Sequence, residues 1–115
     1  MDAKFFVPFE TAQLLKEKGY NSLCVCYYGT DKELYLGILV SNIDYEDCGN
    51  CSAPTYHEVV DWLEGRKVRI YAEYCNGWWY GFIDNSETME VEATLRYQTR
   101  EEALNDGILK ALEML

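Results

Sequence analysis

The chain has 115 residues, 49% of them hydrophobic and 15% aromatic, and its 20 acidic and 10 basic residues give a net charge of −10. The apolar content is high enough for a packed core, which excludes a disordered acidic tail. The length suits one domain, so we expect residues 1–115 to form a single domain. Because the negative charge repels phosphate, nucleic acid and anionic membrane surfaces are disfavoured as partners.

The N-terminal residues lack the apolar run of a signal peptide, and no stretch of the sequence is apolar for long enough to span a membrane. We therefore expect a cytoplasmic protein. The chain has five cysteines, an odd number, which in a reducing compartment favours free thiols over a disulfide framework.

The first predicted element is a helix from about Pro8 to Lys18, because proline suits the first helical turn and Gly19 suits the exit. Two strands rich in β-branched and aromatic residues follow, SLCVCYY and ELYLGILV, joined by a four-residue hairpin loop at 29–32. The stretch 41–53 combines turn formers with acids and shows no periodicity. It is expected to be the longest irregular segment.

A second helix is predicted to end near Glu64, since Thr55 and Glu58 have the spacing of a capping box in front of an apolar helical face. The next segment, KVRIYAEYCNGWWYGFID, predicts a β-hairpin because Asn76-Gly77 is a favoured dipeptide of the type I′ turn. The hairpin register follows from that turn.

With Asn76 and Gly77 as the loop, Cys75 faces Trp78. This register assigns each side chain of the two strands to one of the two faces of the hairpin. The sequence MEVEATLRY predicts a fifth strand, and an amphipathic helix from about Arg100 to Leu115 follows a second capping box. The fifth strand is expected to place one alternating set on the core side, namely Met89, Val91, Ala93, Leu95 and Tyr97.

These elements predict an α+β fold with the order α-β-β-α-β-β-β-α. Hairpin connections predict a mainly antiparallel sheet with helices packed on it.

The most informative functional feature is one face of the Asn76-Gly77 hairpin. Aromatic side chains on a sheet face can anchor a protein partner or stack on bases, and the acidic charge favours a protein partner or self-association over nucleic acid. If helices cover both sheet faces, the same rings are core residues instead. The candidate partner-binding residues are Arg69, Tyr71, Trp78, Tyr80 and Phe82.

Cys48 and Cys51 have the spacing of half a zinc site or of a dithiol pair. They are weak candidates, because the sequence has no second CxxC pair and no HxxxH motif. His57, the only histidine, is expected on the surface of the second helix. We expect no metal and no cofactor.

No GxSxG, P-loop, GxGxxG or HExxH motif occurs, so we expect a non-enzymatic protein. The segments VPFETAQLLKEKGY and CSAPTYHEVVDWLEGRKVRIYAEYCNGWWYGFI resemble small proteins of phage-derived and mobile elements of Bacteroides-type gut bacteria. This resemblance implies no chemistry. The closing segment TREEALNDGILKALEML is similar to the strand-and-helix end of HicB-type antitoxins, which implies a sheet domain that blocks a small toxin ribonuclease.

Two non-enzymatic functions therefore remain open. The first is a protein-interaction module of a phage or mobile element that uses the aromatic hairpin face. The second is an acidic inhibitor or antitoxin-like regulator that presents carboxylates to a basic protein surface. A zinc or thiol protein built on Cys48 and Cys51 is a third possibility from another class.

Overall fold

The computed structural model describes residues 3–46 and 48–115. The chain divides into two compact units, the first ending at Thr55 and the second spanning Tyr56–Leu115. The helices and strands described have the order α-β-β-β-α-β-β-β-α, with the strands in two separate three-stranded antiparallel sheets. The predicted α+β class with helices packed on antiparallel sheets is confirmed. The sequence leaves open whether the five predicted strands form one sheet; they lie in two sheets, and one further strand is present.

The N-terminal unit packs α1 (Phe9–Glu17) with a sheet of strand order β2-β1-β3. Pro8 precedes the helix, and Gly19 takes a φ of +91° after it, as the sequence predicts. The central strand turns alternate side chains into the core. The three strands are β1 (Cys24–Tyr28), β2 (Leu34–Val40) and β3 (Cys51–Ala53).

The ladder between β1 and β2 contains a bulge. Cys24 pairs with Val40 and Cys26 pairs with Leu36, so the stretch 37–39 lies opposite one residue of β1. Within the bulge Ile38 and Leu39 have φ values of +51° and +58°, a left-handed conformation that is costly for a β-branched side chain such as that of Ile38. Their side chains are 73% and 65% exposed.

The segment expected to be irregular, 41–53, is ordered by short-range hydrogen bonds. The Ser41 backbone N–H donates to Asp44 Oδ2 at 2.9 Å, and a 3-10 turn spans Asn42–Tyr45. Asn42 then joins the turn to the sheet, because it accepts from Ser52 N and donates to Tyr20 O. The expectation of an irregular segment is therefore wrong for both ends of 41–53, which form a 3-10 turn and a short strand, while Asp47 lies outside the described residues.

The C-terminal unit has the sheet order β4-β5-β6 with α2 and α3 packed on it. Its helix α3 begins after Thr99, whose hydroxyl accepts from Glu102 N at 3.1 Å as the predicted cap. Gly81 lets α3 approach the central strand, because a Cβ there would collide with the Ala103 carbonyl oxygen. The elements are α2 (Tyr56–Glu64), β4 (Val68–Cys75), β5 (Trp78–Asn85), β6 (Glu90–Tyr97) and α3 (Arg100–Glu113).

The predicted facing of β6 is partly wrong. Tyr80 pairs with Arg96 and Phe82 pairs with Ala93, so two residues, Thr94 and Leu95, lie opposite Gly81 in a bulge. The extra residue reverses the alternation. Thr94 is therefore buried, and Leu95 is 78% exposed rather than in the core. Met89 and Val91, also expected in the core, are exposed as well. Tyr97, from the same expected set, contacts α3 through a 2.7 Å hydrogen bond that its hydroxyl donates to Asp106.

Candidate binding surface

The β4–β5 hairpin has the register that its sequence predicts. Asn76 and Gly77 have φ values of +52° and +88°, as a type I′ turn requires at both central positions. Cys75 pairs with Trp78, and the ladder continues without a shift to Val68 opposite Asn85. The side chains therefore alternate between two faces as expected.

One face of this sheet contacts helix α3. A Cβ on Gly107 of α3 would lie 3.2 Å from Ile70 Cγ2 and 3.9 Å from Ile83 Cγ1, so helix and sheet backbones approach closely there. The side chains of β4 and β5 that this face buries are Val68, Ile70 and Ile83.

The opposite face, called the open face below, has only partly or fully exposed side chains. All five predicted partner-binding residues lie on it. Its members are Arg69, Tyr71, Glu73 and Cys75 of β4, Trp78, Tyr80, Phe82 and Asp84 of β5, and Val91, Ala93 and Arg96 of β6.

The aromatic rings of the open face are held by contacts with each other and with arginines. Tyr71 and Phe82 stack with ring centroids 5.1 Å apart and an interplanar angle of 16°. The guanidinium of Arg69 lies 5.5 Å from the Tyr71 ring centroid, and that of Arg96 lies 4.6 Å from the Trp78 ring centroid. Such contacts restrict the rotamers before any partner arrives, which lowers the entropic cost of binding.

Sequence reasoning missed the part that β6 plays in this face. The bulge at Thr94 and Leu95 turns Val91 and Ala93 toward the open face, where they extend the apolar area beside Phe82. A strictly alternating reading places them on the other side. The only local signal for the bulge is Gly81, a residue without a side chain in the middle of a strand.

The open face is locally balanced in charge although the chain is strongly acidic. Arg69 and Arg96 stand on it with Glu73 and Asp84. Arg69 is the cross-strand neighbour of Asp84, and Tyr80 stands between Glu73 and Arg96. The surface therefore presents aromatic rings flanked by both signs of charge.

Cys48 and Cys51 differ sharply in environment. Cys48 is exposed, whereas Cys51 is buried at the start of β3. Burial raises the pKa of the Cys51 thiol to about 11, although the positive charge of Lys16 opposes the rise. A thiol that stays protonated at neutral pH is a poor nucleophile.

The loop that carries the two cysteines is bound to α1 by one ammonium group. Lys16 Nζ donates to the carbonyl oxygens of Tyr45 at 2.6 Å, Cys48 at 2.8 Å and Asn50 at 2.7 Å. All three donor positions of the ammonium are thereby used. Lys16 fixes the shape of this loop from the outside.

A cavity of about 490 Å³ lies beside this loop in the N-terminal unit. Its polar wall includes Lys16 and Asn42, whose ammonium and amide groups are already bound to backbone atoms of the same unit. A ligand would have to compete with these internal hydrogen bonds. The cavity is a weaker candidate than the open face.

The other titratable candidates are dispersed. His57 is exposed on α2, with Nε2 3.4 Å from Asp61 Oδ2. Cys24 and Cys26 are buried in β1, and Cys75 is exposed on β4. Within residues 3–46 and 48–115, no group of three or more histidine, cysteine and acidic side chains is arranged to hold a metal ion. Among the helices of this described part, none has the length and apolarity to cross a membrane.

Comparison with protein-family models, with curated proteins and with solved structures finds no match.

Proposed function

We propose that the chain is a non-enzymatic protein-binding module and that the open face is its binding surface. The observation that carries this proposal is that the aromatic residues Tyr71, Trp78, Tyr80 and Phe82 are partly exposed together on the sheet face opposite the one that α3 covers. Partly exposed aromatic clusters of this kind are typical of recognition surfaces.

The residue types on the face support a protein partner. Tyrosine, tryptophan and arginine are the residues most enriched in energetic hot spots of protein interfaces. The exposed side chains of Val91 and Ala93 extend the apolar area toward the edge of the sheet. Nucleic acid fits less well as a partner, because binding to phosphates requires a basic surface and this chain has a net charge of −10.

Site-specific photo-crosslinking tests this proposal. A benzophenone amino acid is placed at Tyr80 on the open face, and in a matched variant at Tyr74, an exposed tyrosine of the same hairpin on the opposite face. In cells that express the chain, irradiation should give a discrete protein adduct from position 80 only. Equal adducts from both positions, or none from position 80, would contradict the proposal.

The acidic inhibitor is the second candidate, favoured by the exposed carboxylates of Glu87, just before β6, and of Glu90 and Glu92 at its beginning. Its binding to a basic protein should weaken steeply as salt rises from about 50 to 200 mM. It should also be insensitive to Tyr80→Ala. Binding through the open face predicts the reverse, with a shallow salt response and a large loss in Tyr80→Ala.

A further inference from the structure

We propose that the partner bound by the open face is a second copy of this chain, packed face to face about a two-fold axis. This inference rests on the proposed function, because it names the partner of the same surface. It is carried by the arrangement of charges on the face.

The paired residues of the open face form three rows that run across all three strands, and a fourth row beside the turn contains only Cys75 and Trp78. The middle row contains Tyr71, Phe82 and Ala93. A two-fold axis can lie between two facing sheets, parallel to this row. Rotation about it places each strand over the same strand of the second copy. Each outer row then lies over the opposite outer row of the second copy. The outer rows are Arg69, Asp84 and Val91 on one side, and Glu73, Tyr80 and Arg96 on the other.

This rotation makes the face complementary to itself. Arg69 lies over Glu73 of the second copy, and the symmetry repeats this pair, so the interface gains two opposite-charge contacts. Asp84 lies over Tyr80 of the second copy, whose hydroxyl can donate to the carboxylate. Arg96 lies over Val91 of the second copy, where its aliphatic stem can pack.

No like charges meet in this arrangement, although the chain carries a net charge of −10. Contacts between copies through other acidic surfaces would bring carboxylates together, which opposes association. The charge balance of the open face therefore favours self-association through this face in particular. Its apolar middle row lies at the centre with the charges around it, as in other protein interfaces.

The Arg69–Glu73 contact is tested by charge reversal. Sedimentation equilibrium of the full chain should show a dimer, and Arg69→Glu and Glu73→Arg should each raise its Kd at least about tenfold by placing like charges opposite each other twice. An equimolar mixture of the two variants should regain the wild-type Kd to within about threefold, because each then meets the opposite charge. A folding defect cannot produce this recovery in the mixture.

Glu64→Arg is the matched control, since it changes the net charge by the same amount as Glu73→Arg. Glu64 is exposed and lies at the end of α2. Its Kd should stay within about threefold of the wild type. A wild-type chain that stays monomeric, or a mixture of the two reversal variants that does not recover, overturns the inference.

The photo-crosslink at position 80 separates this inference from the proposed function. An adduct of twice the mass of the chain supports self-association. An adduct of any other mass, together with a monomeric wild type, overturns self-association and leaves the protein-binding function in place. The absence of an adduct overturns both.

Discussion

The ammonium group of Lys16 binds backbone carbonyl oxygens of a loop in the way that a metal cation does in other irregular loops. Three carbonyl oxygens from the segment 45–50 converge on its Nζ at distances of 2.6 to 2.8 Å. Carbonyl groups turned toward one point repel each other unless a positive charge compensates them. The lysine supplies that charge from α1 and so joins the loop to the helix.

Lys16→Met keeps the aliphatic stem but removes the ammonium, so three carbonyl groups lose their donor, two of them in partly buried hydrogen bonds. We expect the free energy of unfolding to fall by about 2–3 kcal/mol, as for other hydrogen bonds to charged groups. Urea denaturation measures it. Gln13→Met, at an exposed position of the same helix, is the control. An equal effect of the two substitutions would show that the three hydrogen bonds do not stabilise the fold.

Cys51 makes stability depend on pH in the alkaline range. Its pKa rises from 9.0 to about 11 on folding because burial disfavours the thiolate. The folded chain thus holds the proton more tightly, so the contribution is complete below pH 9 and is lost as pH rises toward 11.

The free energy of unfolding of the wild type should therefore fall between pH 9 and 11, relative to Cys51→Ala, by up to about 2–3 kcal/mol. Urea denaturation of both proteins at several pH values measures this difference. Groups other than Cys51 titrate in both proteins, so their contributions cancel. A difference that stays constant over this range would mean that the Cys51 thiol is not desolvated.

At the scale of residues, the sequence predicted the aromatic residues and Arg69 of the open face, but neither its β6 members nor the role of Lys16. The face follows from Asn76-Gly77, which sets a local register, and all five predicted residues lie together. The contacts of Lys16 join positions 29 to 34 residues apart, and no local pattern encodes them. Cys48 and Cys51 share a motif, but only burial distinguishes their chemistry.

Among the elements, the three helices could be predicted to within about two residues because caps and apolar periodicity are local signals. The two bulges could not. At Ile38 and Leu39 and at Thr94 and Leu95, tertiary pairing overrides alternation, so β6 turns a different set of side chains inward. The short strand β3 was missed because only its pairing with β1 defines it.

Gly81 gives the contact between β5 and α3 a sharp test. In Gly81→Ala the new Cβ would meet the Ala103 carbonyl oxygen, which belongs to helix backbone and cannot rotate away. We expect a loss of about 3 kcal/mol or more. Thermal or urea denaturation measures it.

Gly107→Ala is the matched control on the helix side of the same contact. Its Cβ would lie 3.2 Å from Ile70 Cγ2, a side-chain atom that can shift, and alanine gains about 1 kcal/mol in helix propensity. It should change stability by less than about 1 kcal/mol. Similar losses in both variants would mean that α3 does not approach β5 as closely as described.

For the whole molecule, a single domain remains a prediction from chain length, and the tryptophans offer a way to test it. All three, Trp62, Trp78 and Trp79, lie in the C-terminal unit, whereas Lys16 lies in the N-terminal unit. If the chain unfolds as one domain, Lys16→Met should lower the urea midpoint followed by tryptophan fluorescence as much as the midpoint followed by circular dichroism. A fluorescence midpoint unchanged by Lys16→Met would indicate two independent domains.

The bulge in β2 also bears on how the molecule avoids aggregation. The strand sequence LYLGILV has no charge and no proline, and β2 is an edge strand of its sheet, features that in a flat strand favour amyloid-like stacking. The left-handed backbone at Ile38 and Leu39 interrupts the row of hydrogen-bonding groups that an incoming strand would need. The left-handed backbone at these two residues thus disfavours the addition of a further strand at this edge.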